Sequence, residues 1–108
     1  MTDFYIKQGD TDPDITATLE DQNGTAFDLT DCTVKFHMKK GTTIKVNAEA
    51  TILDVGTDDV SVRYSWQNGD TDTTGNYSIE WEITKSDGQI ETVPNSSHDT
   101  VRITPELA

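Results

Sequence analysis

In the stretch Asp72 to Thr84 polar and apolar side chains alternate without a break from Tyr77 onward: Tyr77, Ile79, Trp81 and Ile83 hold one parity, Ser78, Glu80, Glu82 and Thr84 the other. Successive side chains of an extended chain point to opposite faces, so the segment predicts a strand with one dry and one wet face. No other stretch keeps so strict a period, and the remaining strands are expected to pack onto its apolar side. Cys32, Val34, Phe36 and Met38, alternating with Thr33, Lys35, His37 and Lys39, predict a second strand that Gly41 ends. Val60, Val62, Tyr64 and Trp66 predict a third, with Asp59, Ser61, Arg63 and Ser65 toward water and Gln67 to Asp70 turning the chain. On this reading Val34, Phe36, Val62, Tyr64, Tyr77, Ile79, Trp81 and Ile83 form the core.

Shorter patterns fill the rest. Asp3 to Lys7 predicts a brief strand or an arm, closed by the turn-rich stretch Gln8 to Asp14. Ile15, Ala17 and Leu19 alternate with polar residues before Asn23-Gly24, a pair suited to a tight hairpin turn. Phe27 and Leu29 follow. Ile44, Val46, Ala50 and Ile52 stand at strand parity and predict one or two strands. After the turn Ser86-Asp-Gly88, Gln89 to Val93 returns and Pro94 stops it, and a loop over Asn95 to Asp99 leads to a last strand, Thr100 to Thr104, with Val101 and Ile103 inward. Nowhere do apolar residues recur at the spacing of an amphipathic helix. The expected fold is all-β: an immunoglobulin-like antiparallel β-sandwich of seven to eight strands, one domain over residues 1–108, with an N-terminal arm at 1–8. Gly75 two residues before Tyr77 resembles the corner of such sandwiches, where a Tyr hydroxyl bonds to backbone a few residues upstream.

Composition narrows the partners. A chain of 108 residues has room for one core, and 32% hydrophobic residues suit two thin packed sheets better than a helical bundle. With 20 acidic and 8 basic residues the net charge is −12, which repels nucleic acid phosphate and anionic lipid, so neither nucleic acid nor membrane is expected as a direct partner. The single Cys32 cannot form an internal disulfide, and no apolar run has signal-peptide or membrane length, so a soluble protein without a cleaved leader is expected. The acid excess fits either an ordinary acidic protein or one from a salt-rich cytoplasm, where charge keeps proteins hydrated and salt screens their self-repulsion; the weight of Asp and Thr over basic residues favours the second, and the excess of Lys over Arg speaks against it.

Several short pieces recur in one order: Phe4 to Ile15, Asp21-Gln-Asn-Gly24, Asp28-Leu-Thr30, Val34 to Met38, Val62 to Trp66 and Gly75-Asn-Tyr77. Taken together, over nearly the whole chain, they resemble the N-terminal domain of phage baseplate upper proteins, an immunoglobulin-like module of tailed viruses. The resemblance implies a virion structural protein in a baseplate, tail or neck, assembled in the host cytoplasm, with other virion proteins as partners in a homo-oligomeric ring. Longer family members carry further domains, whereas this chain is expected to end with the module. Joined to the acidic composition, the resemblance points to a virus of a halophilic archaeon. The alternative is a capsid decoration protein or a module that binds a host surface or glycan. For the ring, Phe4, Tyr5 and Ile6 are the candidate assembly arm, because exposed apolar residues near a chain end call for a partner.

Candidate chemistry is sparse. Asp10, Asp12 and Asp14 have the spacing that opens a calcium loop, but Ile15 stands where the loop needs Gly and no Glu follows at the twelfth position. Asp54, Asp58, Asp59, Asp70 and Asp72 could gather at one end of a sandwich and hold a cation weakly, although local turn capping explains them equally. His37, His98 and Cys32 do not have zinc-site spacing. Glu80 and Glu82 share a strand face and imply no glycosidase cleft, and Ser61, Ser65 and Ser78 lack the surroundings of an activated nucleophile. No enzymatic activity and no cofactor are expected.

Overall fold

The computed structural model describes residues 2–19, 29–54, 61–93 and 98–107. Within them lie nine strands and no helix: β1 (Thr2–Lys7), β2 (Ile15–Thr18), β3 (Thr33–Lys40), β4 (Thr43–Glu49), β5 (Thr51–Asp54), β6 (Ser61–Tyr64), β7 (Gly75–Thr84), β8 (Ile90–Val93) and β9 (His98–Thr104). They form two sheets. The larger runs β1-β9-β7-β3-β4, with β8 also on β7, and the smaller runs β2-β6-β5. All pairs are antiparallel except β1 with β9, which run parallel from Thr2 opposite His98 to Lys7 opposite Thr104. The expected Asn23-Gly24 turn, Phe27, Val60 and Pro94 lie outside the described residues.

The ten-residue strand β7 is central because both of its edges are used. One edge carries β3 from Ser78 to Thr84. The other carries β9 along Gly75–Ser78 and β8 along Trp81–Thr84. From Val93, opposite Trp81, to Thr100, opposite Ser78, the second chain advances seven residues while β7 advances three. Four residues are therefore surplus to the ladder, which divides what would be one long strand into two.

The parity of β7 is realised: Tyr77, Ile79, Trp81 and Ile83 are buried, as are Val34, Phe36 and Met38 on β3 and Val62 and Tyr64 on β6. Aromatic rings join the sheets. Phe36 lies against Trp81 of the neighbouring strand and stacks on Tyr64 of the opposite sheet, with ring centroids 4.7 Å apart at 16°. Trp66 meets both Phe36 and Tyr64 edge-on and donates its Nε1–H to the Pro13 carbonyl at 3.0 Å. An offset or edge-to-face arrangement suits the ring quadrupoles and adds to what burial supplies. Trp66 is thus a core residue, with no open face on which a sugar could stack.

Four expectations change. The described strands number nine, because Ala50 sits at a crossing between sheets, its N–H donating to the Val34 carbonyl, and so separates β4 from β5. The last strand begins at His98, earlier than the expected loop allowed. Ile44 does not share a face with Val46. Met38 faces Val46 but Lys39 faces Ile44, so the intervening Lys45 is a bulge that turns Ile44 to the outside, where it is 67% exposed. The fourth concerns Phe4, Tyr5 and Ile6, which do not form a projecting arm: they belong to β1 on the edge of the larger sheet. Ile6 is buried and Phe4 packs partly against the core and Trp66, which leaves Tyr5 as the exposed member at 60%.

Candidate interaction surface

One end of the sandwich is knit from the stretch after β1 and the turns that lead into β7. Gln8 donates its backbone N–H to the Thr104 carbonyl at 2.7 Å and its side-chain amide to the Asp72 carbonyl at 2.8 Å. Gly9 donates to the Thr71 carbonyl at 3.0 Å, and the buried Thr71 hydroxyl donates back to the Asp10 carbonyl at 2.8 Å. Two stretches some sixty residues apart are thereby zipped together. Periodicity gave no hint of this pairing. Threonine between two aspartates reads as solvated turn, and only its burial reveals the role.

The acidic residues here serve as local acceptors. Asp70 accepts the Tyr64 hydroxyl and, on the same oxygen, the Gln67 N–H at 2.8 Å, holding the turn Gln67–Asp70 against the core. Burial, and then the Asp70 carboxylate, push the Tyr64 phenol well above the usual tyrosine range. Asp72 binds the Lys45 ammonium and the Thr73 hydroxyl, and the Lys45 contact first of all holds its carboxyl below the usual range. Asp14 accepts from the Ser65 hydroxyl at 3.0 Å and lies 3.5 Å from Arg63 Nε. Asp10 meets Thr71 through its backbone carbonyl, and Asp12 faces solvent. Asp10, Asp12 and Asp14 are thus not brought together, and among the described residues no group of three His, Cys, Asp or Glu side chains converges as a metal site. Asp58 and Asp59 lie outside the described residues. Tyr77 closes this end, its hydroxyl donating to the Thr73 carbonyl at 2.7 Å, the backbone bond that its spacing from Gly75 led one to expect.

The outer face of the larger sheet carries the open surface. A groove of about 370 Å³ crosses β4, β3 and β7, lined by His37, Lys39, Ile44, Asn47, Ser78 and Glu80 among others. His37 Nδ1 lies 3.3 Å from Glu80 Oε1 across the ladder, which pairs these two residues directly. Glu82, the other acid on this face of β7, stands two residues further along and opposite Lys35. On the far edge Arg102 lies over the Tyr5 ring and bonds Asp3 at 2.9 Å, and Thr100 donates to the same carboxylate. Among the described residues this sheet leaves the outer edges of β1, β4 and β8 unpaired, each with one exposed large apolar side chain, Tyr5, Ile44 and Ile90. Cys32, partly buried just before β3, packs against the core. In comparison with known proteins, the chain matches no family model, no curated protein and no solved structure.

Proposed function

We propose that the protein is a structural component of a tailed-virus particle, in the baseplate, tail or neck, and that it works by protein–protein contact. The observation that carries this reading is the surface of the larger sheet: among the described residues the outer edges of β1, β4 and β8 are unpaired, with Tyr5, Ile44 and Ile90 exposed beside them. Unpaired edges and isolated apolar side chains are what a sheet offers to another protein chain. The strand order supports the immunoglobulin-like part of this reading. In an immunoglobulin-like sandwich strands B, E and D make one sheet, while G, F, C and C′ make the other. The orders β2-β6-β5 and β9-β7-β3-β4 fit that lettering, and Tyr77 occupies the corner position at the start of the F equivalent. β1 takes a place beside the G equivalent.

Mass spectrometry of purified particles, compared with particles from a strain lacking the gene, tests the proposal. The protein is expected in intact particles, and its loss is expected to leave them incomplete or non-infectious. Absence from particles, or full infectivity without it, would replace this reading with a soluble binding module.

A further inference from the structure

The outer edge of β1 complements itself. Of the edges that the described residues leave open on the larger sheet, β4 is interrupted by the bulge at Lys45 and β8 is four residues long, while β1 keeps a regular register from Asp3 to Lys7. Just past β1, the Gln8 N–H donates to the Thr104 carbonyl of β9. Backbone groups of alternate residues in a strand point to opposite edges, so Phe4 and Ile6 share the direction of Gln8 and bond to β9. Those of Asp3, Tyr5 and Lys7 point the other way, toward the open edge. The side chains of these three lie on the outer face, Tyr5 and Lys7 exposed and Asp3 held by Arg102 and Thr100. Phe4 and Ile6 face the core.

Asp3-Phe-Tyr-Ile-Lys7 has opposite charges at its ends, an apolar residue inside each and tyrosine at the centre, so it matches its own reverse. We propose that two copies of the protein pair edge to edge through β1, antiparallel and centred on Tyr5. This register sets Asp3 opposite the second copy's Lys7, Phe4 opposite its Ile6 and Tyr5 opposite its Tyr5, the first two contacts occurring twice. It also opposes residues whose backbone groups all face outward, as an antiparallel ladder requires for mutual N–H and C=O bonds. A slip of one residue opposes outward-facing to inward-facing groups, and a slip of two sets each tyrosine against a charged residue. Opposite charges and aromatic pairs across a ladder add to its stability. The contact is reciprocal and closes as a twofold dimer. At physiological ionic strength repulsion between the two acidic copies is largely screened beyond about 8 Å, whereas a carboxylate and an ammonium in direct contact keep their attraction. The inference rests on the assembly reading above and names one contact for it.

One ladder this short buries less than a standard interface, so the dimer is expected to fill only toward millimolar concentration. Sedimentation velocity of the intact chain from micromolar to millimolar, with amide hydrogen exchange read by NMR at both ends of that range, tests it. The wild type is expected to pass from monomer to dimer and to gain protection at the amides of Asp3, Tyr5 and Lys7, with no change at Phe4 and Ile6, whose amides already bond to β9. Tyr5→Pro removes an outward donor and none of the bonds to β9, an edge position that accepts proline, and is expected to raise the dimer dissociation constant about tenfold or more. Lys7→Glu, at an exposed position, turns both ion pairs repulsive and is expected to raise it about tenfold. Circular dichroism with thermal melting verifies that the variants fold. A wild type that stays monomeric throughout, protection gained on β4 or β8 in place of β1, or a dimer indifferent to both changes overturns the proposal. The particle experiment is separate: presence in particles with a monomeric wild type would sink the pair alone, and a β1 dimer absent from particles would sink the structural role alone.

Discussion

Phe36 and Trp81 stand directly opposite each other on β3 and β7, their ring centroids 4.9 Å apart and their planes tilted by 55°. Both are fully buried, and among the described residues the Trp81 Nε1–H has no hydrogen-bond partner. Removing the indole therefore forfeits packing alone. Trp81→Ala is expected to cost about 3–5 kcal/mol in equilibrium unfolding, the range for deleting a large core aromatic. Glu80→Ala, one residue away on the exposed face and paired with His37, is expected to cost no more than about 1 kcal/mol. Equal costs would show that the two faces of β7 are not energetically distinct.

The Tyr64 phenol ties stability to alkaline pH. The folded state favours its protonated form, so this contribution is whole below the ordinary phenol pKa of about 10 and is lost as pH rises toward the elevated folded value. Wild-type stability is expected to fall from about pH 10 upward. Tyr64→Phe should flatten that part of the profile while lowering stability at neutral pH by about 1–2 kcal/mol, through the lost bond to Asp70. An unchanged alkaline limb in the variant would assign the loss to other groups.

Gly75 has φ +145°, a region that residues with a side chain rarely adopt, and a Cβ there would lie 2.7 Å from Lys40 Nζ. The ammonium is the far end of a flexible chain and can move. The backbone cannot. Gly75→Ala is expected to destabilise by about 1–3 kcal/mol, and the same cost should persist in a Lys40→Ala background. If Lys40→Ala abolished the penalty, crowding and not backbone conformation would be its source.

With a net charge of −12, molar sodium or potassium chloride is expected to raise the melting temperature by screening like charges. Thermal melts across a salt series check this. A flat or falling curve would end the case for adaptation to a salt-rich interior and would not touch the fold.

What could be read in advance follows from how far each signal reaches along the chain. The faces of β3, β6 and β7 were legible because alternation is written into consecutive residues. Trp66 was placed in the core by the same parity. Ile44 was misread because a single extra residue, Lys45, reverses every face beyond it, and no local preference marks that residue as the bulge. Phe4 to Ile6 could be seen to need a partner, but the partner, Val101 to Ile103, lies nearly a hundred residues away. The zip between Gln8–Asp10 and Thr71–Asp72 was hidden for the same reason, and it is made largely by backbone groups that every residue carries.

The parallel match of β1 with β9 has a mechanical meaning. Thr2 lies at one end of the ladder and Thr104 at the other, so tension applied at these two points drags the strands past each other along their length. The bonds joining them are then loaded in shear, all together, whereas a hairpin pulled at its open end peels one rung at a time. A chain strung in series by these two points would resist stretching up to a sharp yield force, set by one short ladder at the rim of the sheet.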